Sequence, residues 1–94
     1  MIRKSSDELE LWYFDGGGVP VYRYNGLLFT GIVEEYDNGI LYAEDEYING
    51  YQEGWMRIYH DNGQLEIEVQ KHNNVQVTGT YKEYDQNGVL IASD

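Results

Sequence analysis

Two histidines, a large set of carboxylates and several glycine-rich turns are the groups of this chain that could do chemistry. His60 and His72 would act as general bases or metal ligands if each met an acid and a nucleophile. Neither has a serine partner at a motif spacing and the chain holds no cysteine, so both read as surface histidines. Glu34 and Glu35 are paired carboxylates, but neighbours in a strand point to opposite faces and cannot share one proton. Asp37-Asn38-Gly39 and Asp61-Asn62-Gly63 start like calcium loops and lack the later ligand positions and the closing glutamate. Gly16-Gly17-Gly18 has no following Lys-Ser/Thr and no helix to make a phosphate cradle. No catalytic residue, metal site or cofactor is expected; a site of another kind must lie on the surface that the repeats build.

The repeats are the elements that position everything else. A glycine, a tyrosine five residues on, an Asn-Gly turn and a leucine two residues after the turn's glycine recur three times. The copies start at Gly31, Gly54 and Gly79, with Tyr36, Tyr59 and Tyr84, then Asn38-Gly39, Asn62-Gly63 and Asn87-Gly88, then Leu41, Leu65 and Leu90. Spacings of 23 and 25 residues between the glycines signal stacked supersecondary units. Asn-Gly accepts positive φ cheaply, as a tight hairpin requires, so three hairpins are predicted. The first copy is one residue shorter from tyrosine to glycine, which predicts a different loop or a bulge there.

After each turn comes a strand. Leu65, Ile67 and Val69 alternate with Glu66, Glu68 and Gln70, the period-two pattern of a strand with one wet face. By the same alternation Leu41, Ala43 and Tyr47 face inward while Tyr42, Glu44 and Glu46 face out. Tyr24-Asn25-Gly26, Ile48-Asn49-Gly50 and His72-Asn73-Asn74 read as return turns on the other edge of a meander. Residues 9–24 form a degenerate leading unit, with Pro20 at a strand start, and residues 1–8 a loose or capping tail. The fold class expected is all-β: an elongated, twisted single sheet of consecutive antiparallel hairpins. It forms one domain over residues 1–94, with an atypical N-terminal capping unit at 1–26 and three hairpin repeats at 27–94.

Composition narrows the partner. Seventeen acidic against six basic side chains give a net charge of −11, which disfavours nucleic acid and anionic membranes and favours a cationic partner. An aromatic content of 15% separates the chain from acidic disordered segments. No apolar run has the length of a membrane span, and no signal-like apolar region follows Arg3-Lys4, so a cytoplasmic protein is expected.

Written out in register, residues 24–94 resemble the MORN-type repeat variant of bacterial YwqK-like antitoxin and toxin-immunity proteins. The resemblance rests on Gly31, Tyr36, Asn38, Gly39, Leu41 and Glu44, on Gly54, Tyr59, Asn62, Gly63, Leu65 and Glu68, and on Gly79, Tyr84, Asn87, Gly88 and Leu90. Asn74 departs from it, standing where a glycine is usual. It implies an antiparallel meander and a protein that binds and neutralises a cognate toxin, without identifying that toxin; taken with the acidic excess and the absence of catalytic groups, the toxin expected is a cationic effector such as a nuclease, its active site occluded. The alternative it allows is a non-catalytic scaffold for protein or membrane association.

For toxin binding the contact residues expected are Glu44, Glu46, Glu66 and Glu68 as an acidic face, joined by Asp45 or Glu53 nearby, with Trp55, Tyr42 and Tyr51 as apolar anchors; Tyr47, Trp12 and Tyr13 are further aromatics without a repeat counterpart. A solvated polar face and a tyrosine core are the plainer explanations of the same residues. Whether the edge strands pair copies into a dimer is left open by the sequence.

Overall fold

The computed structural model describes residues 1–94 and is built from eleven strands and a single 3₁₀ turn. In chain order the strands are β1 Arg3–Ser5, β2 Glu10–Phe14, β3 Pro20–Tyr24, β4 Leu27–Leu28, β5 Gly31–Asp37 and β6 Ile40–Ile48. They continue as β7 Tyr51–Tyr59, β8 Leu65–His72, β9 Val75–Gln76, β10 Lys82–Tyr84 and β11 Leu90–Ser93. The antiparallel hairpin meander is as expected: β5–β6, β7–β8 and β10–β11 are the three repeats, laid side by side.

The single sheet is a correction. Eight strands form the main sheet, in the order β1, β5, β6, β7, β8, β10, β11 with β9 beside β8, and β2, β3 and β4 form a second sheet of three. In a strict meander β3 would lie against β5. That edge is instead taken by β1, running parallel to β5 with Lys4 opposite Val33, so the leading hairpin is displaced from the ladder. Residues expected to trail or cap therefore do the second. Ser6–Glu8, closed by the Ser5–Glu8 capping box, turns the chain from β1 back toward β2.

The displaced hairpin packs on one face of the main sheet and covers its core. Phe29, Val33 and Tyr47 form a buried cluster, with Leu9, Tyr22 and Tyr24 against it. The Tyr22 and Tyr47 rings meet edge to face at 5.5 Å, and Tyr24 meets Phe29 at 6.4 Å. Cross-strand pairing puts Val33, Asp45, Met56 and Val69 in one row of this inner face.

The repeat pattern has a physical reading. In every hairpin the register slips by one residue beside the turn, so that Tyr36 lies opposite Leu41, Tyr59 opposite Leu65 and Tyr84 opposite Leu90. The bulge expected for the first copy is thus common to all three. It also corrects the sequence reading of Leu41 and Leu65, which pair with Tyr36 and Tyr59, out of step with Ala43 and with Ile67 and Val69 on their own strands. What distinguishes the first copy is its loop: Asn38 and Gly39 both have positive φ, at 50° and 79°, as a two-residue turn demands. In the longer loops Asn62 and Asn87 stay out of that region, and Asn62 Oδ1 accepts the Gln64 N–H instead.

The return turns staple one unit to the next. Gly50 N donates to Phe29 O at 2.8 Å and Asn74 N donates to Gln52 O at 3.0 Å, at equivalent points of successive repeats. Asn74 fills the glycine position at φ 69° and uses its side chain, which accepts from Gln52 N and donates to Asp15 Oδ2 at 2.7 Å. That second bond fastens the leading hairpin to the repeats.

Candidate functional site

Glu44, Glu46 and Glu68 project from the face of the main sheet opposite the core, as the alternation predicts, but they do not stand free. Pairing across the strands lines up Ser5, Glu34, Glu44, Arg57, Glu68 and Lys82 in one row. Arg3 bridges Glu34 and Glu44 from the parallel edge strand, and the Tyr59 hydroxyl also donates to Glu44. Arg57 Nε binds Glu68 at 3.1 Å while its guanidinium lies 5.4 Å from the Trp55 ring centre. Glu46 accepts the Trp55 N–H at 3.1 Å, its carboxylate folded over Gly54, where an added Cβ would come 3.0 Å from Glu46 Cδ. Glu44, Glu46 and Trp55 thus meet in one small pocket with Arg3, Ile32 and Arg57. From Glu44 to Lys82 the row alternates in sign, Arg3 bridges the like pair Glu34 and Glu44, and local pairing takes up much of the field.

The remaining expected contacts lie elsewhere. Glu66 and Tyr42 gather at the turn end of the sheet: His60 Nδ1 is 3.7 Å from Glu66, and Tyr42 lines an open depression with His60, Asp37 and Asp61. Tyr51 points to the other side, where its hydroxyl is hydrogen-bonded to that of Tyr13 in the leading hairpin. The Tyr13 hydroxyl is held above the usual phenol range first by that bond. His72 binds Glu53 at 3.0 Å and sits at the far end of β8 from His60, which instead contacts Tyr84 O at 2.8 Å.

Two features go beyond the sequence reading. The first is Asp45, placed on the inner face between Val33 and Met56, with an Oδ1 that is sealed from solvent and has no hydrogen-bond partner. Burial, then the Glu35 carboxylate, pushes its carboxyl up to about 6, against a pull from Lys71. Its expected place beside the acidic face is thus corrected: the alternation sends Asp45 inward with Ala43 and Tyr47, and its isolation had no signal in the sequence.

The second is the leading hairpin's open side. All of β2 is exposed, including Leu11, Trp12 and Phe14, and Trp12, Arg23, Leu27 and Leu28 line a shallow groove of about 550 Å³. Trp12 is 52% exposed and Leu27 73%. Arg23, 5.4 Å from the Trp12 ring centre, and its bond to Gly26 O fix one wall. The lack of a repeat counterpart for Trp12 was the signal in the sequence; Leu27 and Leu28 carried none. No helix is long and apolar enough to cross a membrane.

Comparison with known families finds the MORN repeat variant at residues 52–73 and 77–93. These spans take in the β7–β8 and β10–β11 hairpins, so the class of architecture is a MORN-type β-hairpin repeat over that part of the chain. The first hairpin, from Gly31, lies outside the match although it carries the same tyrosine–leucine pairing. No curated protein and no solved structure matches the chain.

Proposed function

We propose that this protein is a non-catalytic docking module that binds a cationic protein partner and occludes it, in the manner of an immunity protein or antitoxin. The observation that carries the reading is the open groove of Trp12, Arg23, Leu27 and Leu28 on a chain of net charge −11. Large apolar side chains left open on a small domain mark an interaction surface, and aromatic anchors dominate such contacts. Like charge repels anionic surfaces and steers a cationic protein toward the molecule. The expected acidic contacts divide by role: Glu44, Glu46 and Glu68 hold the sheet face together with Arg3, Arg57 and Trp55. Glu66 and Tyr42, at the turn end, remain open to a partner.

A cytosolic site of action fits a protein that intercepts a toxin after its entry or synthesis. The second reading, a scaffold that holds another protein or a membrane, is favoured by the MORN repeat match alone. Co-expression with the product of the neighbouring reading frame separates the two. The docking reading expects protection from toxicity that is lost in Trp12→Ala with Leu27→Ala; absence of any protection, with binding to anionic vesicles, would favour the scaffold.

A further inference from the structure

Five Asn-Gly pairs lie in the turns of this chain, at Asn25, Asn38, Asn49, Asn62 and Asn87, and by local sequence they are equivalent. Asn-Gly is the dipeptide most prone to spontaneous deamidation, because glycine lets its own amide nitrogen reach the asparagine side chain. The folded structure makes the five unequal. We propose that Asn38 is the modification site of this protein, the residue that deamidates ahead of the other four.

In the step the backbone nitrogen of Gly39 attacks Cγ of Asn38. The bond from Cγ to the side-chain nitrogen breaks, and ammonia leaves carrying the proton lost by the backbone nitrogen. Solvent water then opens the succinimide at either carbonyl, leaving aspartate or isoaspartate. The step needs a backbone N–H that is not already donating, a side chain free to turn, and room for the ring.

Asn38 meets all three conditions. Gly39 N donates no hydrogen bond outside the strand ladders, and Gly39 itself is outside every strand. A Cβ built on Gly39 meets nothing within 4 Å, and Asn38 is exposed. Each rival is held. Gly50 N donates to Phe29 O at 2.8 Å and Gly50 is walled by Leu28 and Val21, so Asn49 is locked in the repeat junction. Gly63 N donates to His60 O, while the Asn62 side chain accepts from Gln64 N and donates to Gln86 O. Gly88 N donates to Asp85 O, and Gly26 N to Glu10 Oε1.

Each net hydrogen bond that must break slows the step by roughly two- to tenfold. Asn87 and Asn25 should therefore lag Asn38 by that factor, and Asn62, held by three bonds, by more. The new carboxylate arises beside Asp37, on the edge that also carries Asp61. The isoaspartate form adds a methylene to the backbone of a two-residue turn, which the Asp37–Ile40 pairing cannot accommodate unchanged.

The test is a time course of the full chain in mildly alkaline buffer, with proteolytic peptides fragmented by mass spectrometry to locate each amide-to-acid conversion. Asn38 is expected to convert first, and N38Q to remove the fastest phase while the others keep their rates. In guanidinium the five should converge. Equal rates in the folded protein, Asn62 or Asn49 converting first, or the same lead for Asn38 in guanidinium would overturn the proposal.

Discussion

Replacing Asp45 by asparagine should make this protein more stable at neutral pH. The carboxyl is driven from 3.8 to about 6 because its Oδ1 is sealed on the inner face, unpartnered, with Glu35 repelling it and Lys71 compensating only in part. Holding it ionised in the folded state therefore costs, at the linkage rate of about 1.4 kcal/mol per unit, up to roughly 3 kcal/mol. An amide of the same shape carries no charge to desolvate but still lacks a partner, which leaves an expected gain of about 2 kcal/mol. For a domain of this size that raises the melting temperature by roughly 10 °C. The sign with pH follows from the raised value. The folded state binds the proton more tightly than the unfolded, so wild-type stability from this group falls as pH rises from about 4 through about 6. The wild type and Asp45→Asn should melt alike near pH 4 and separate progressively toward pH 7, the variant higher. Calorimetric scans of both proteins across that range are the assay. A variant that melts at or below the wild type at neutral pH, or a difference that does not change with pH, would show that the buried Asp45 carboxylate costs the fold nothing.

Other substitutions test the joints of the fold. Gly31→Ala would bring its Cβ 2.4 Å from Ile2 O and 2.8 Å from Phe29 Cζ, so β1 should leave the sheet edge, read as faster hydrogen exchange at Ile32. Gly79→Ala, at the same repeat position with nothing within 4 Å and φ 84°, should cost only about 1 kcal/mol of backbone strain, seen in urea unfolding. Asn74→Gly keeps the turn but removes the bonds to Gln52 N and Asp15; leaving a buried N–H unpaired should cost about 2 kcal/mol in the same assay. Arg3→Ala, whose side chain is 44% exposed, should cost no more than about 1 kcal/mol, with β1 the first element to exchange.

The hairpins were legible because Asn-Gly turns and period-two alternation are local signals, and both survive in the structure from Gly31 to Ser93. Local signals also gave the leading hairpin, β2 and β3, from Leu11-Trp12-Tyr13-Phe14 and Pro20. What they could not give is where that hairpin goes. Arg3-Lys4-Ser5 is too short and polar to announce a strand, yet its pairing with β5 displaces the leading unit and turns one sheet into two. The orientation of the acidic face was legible, and its local pairing was not. Alternation says which way Glu44 and Glu68 point, but the cations that meet them come from residues 41 and 11 positions away in sequence, Arg3 and Arg57. The groove of Trp12, Leu27 and Leu28 was hidden for the same reason, since it exists only after β4 has been laid against β3.

The claim on which the account turns is that the open apolar side of the leading hairpin, and not the glutamate row, is the face that meets a protein partner. Affinity for the neighbouring gene product, measured by calorimetric titration with Trp12→Ala and with the pair Glu44→Gln and Glu68→Gln, tests it directly. Trp12→Ala is expected to weaken binding by at least 1 kcal/mol, the threshold that separates an anchor from a bystander. The glutamine pair should lower stability and leave affinity within about twofold, a difference of about 0.4 kcal/mol. Full affinity in Trp12→Ala together with loss of binding in the glutamine pair would contradict it.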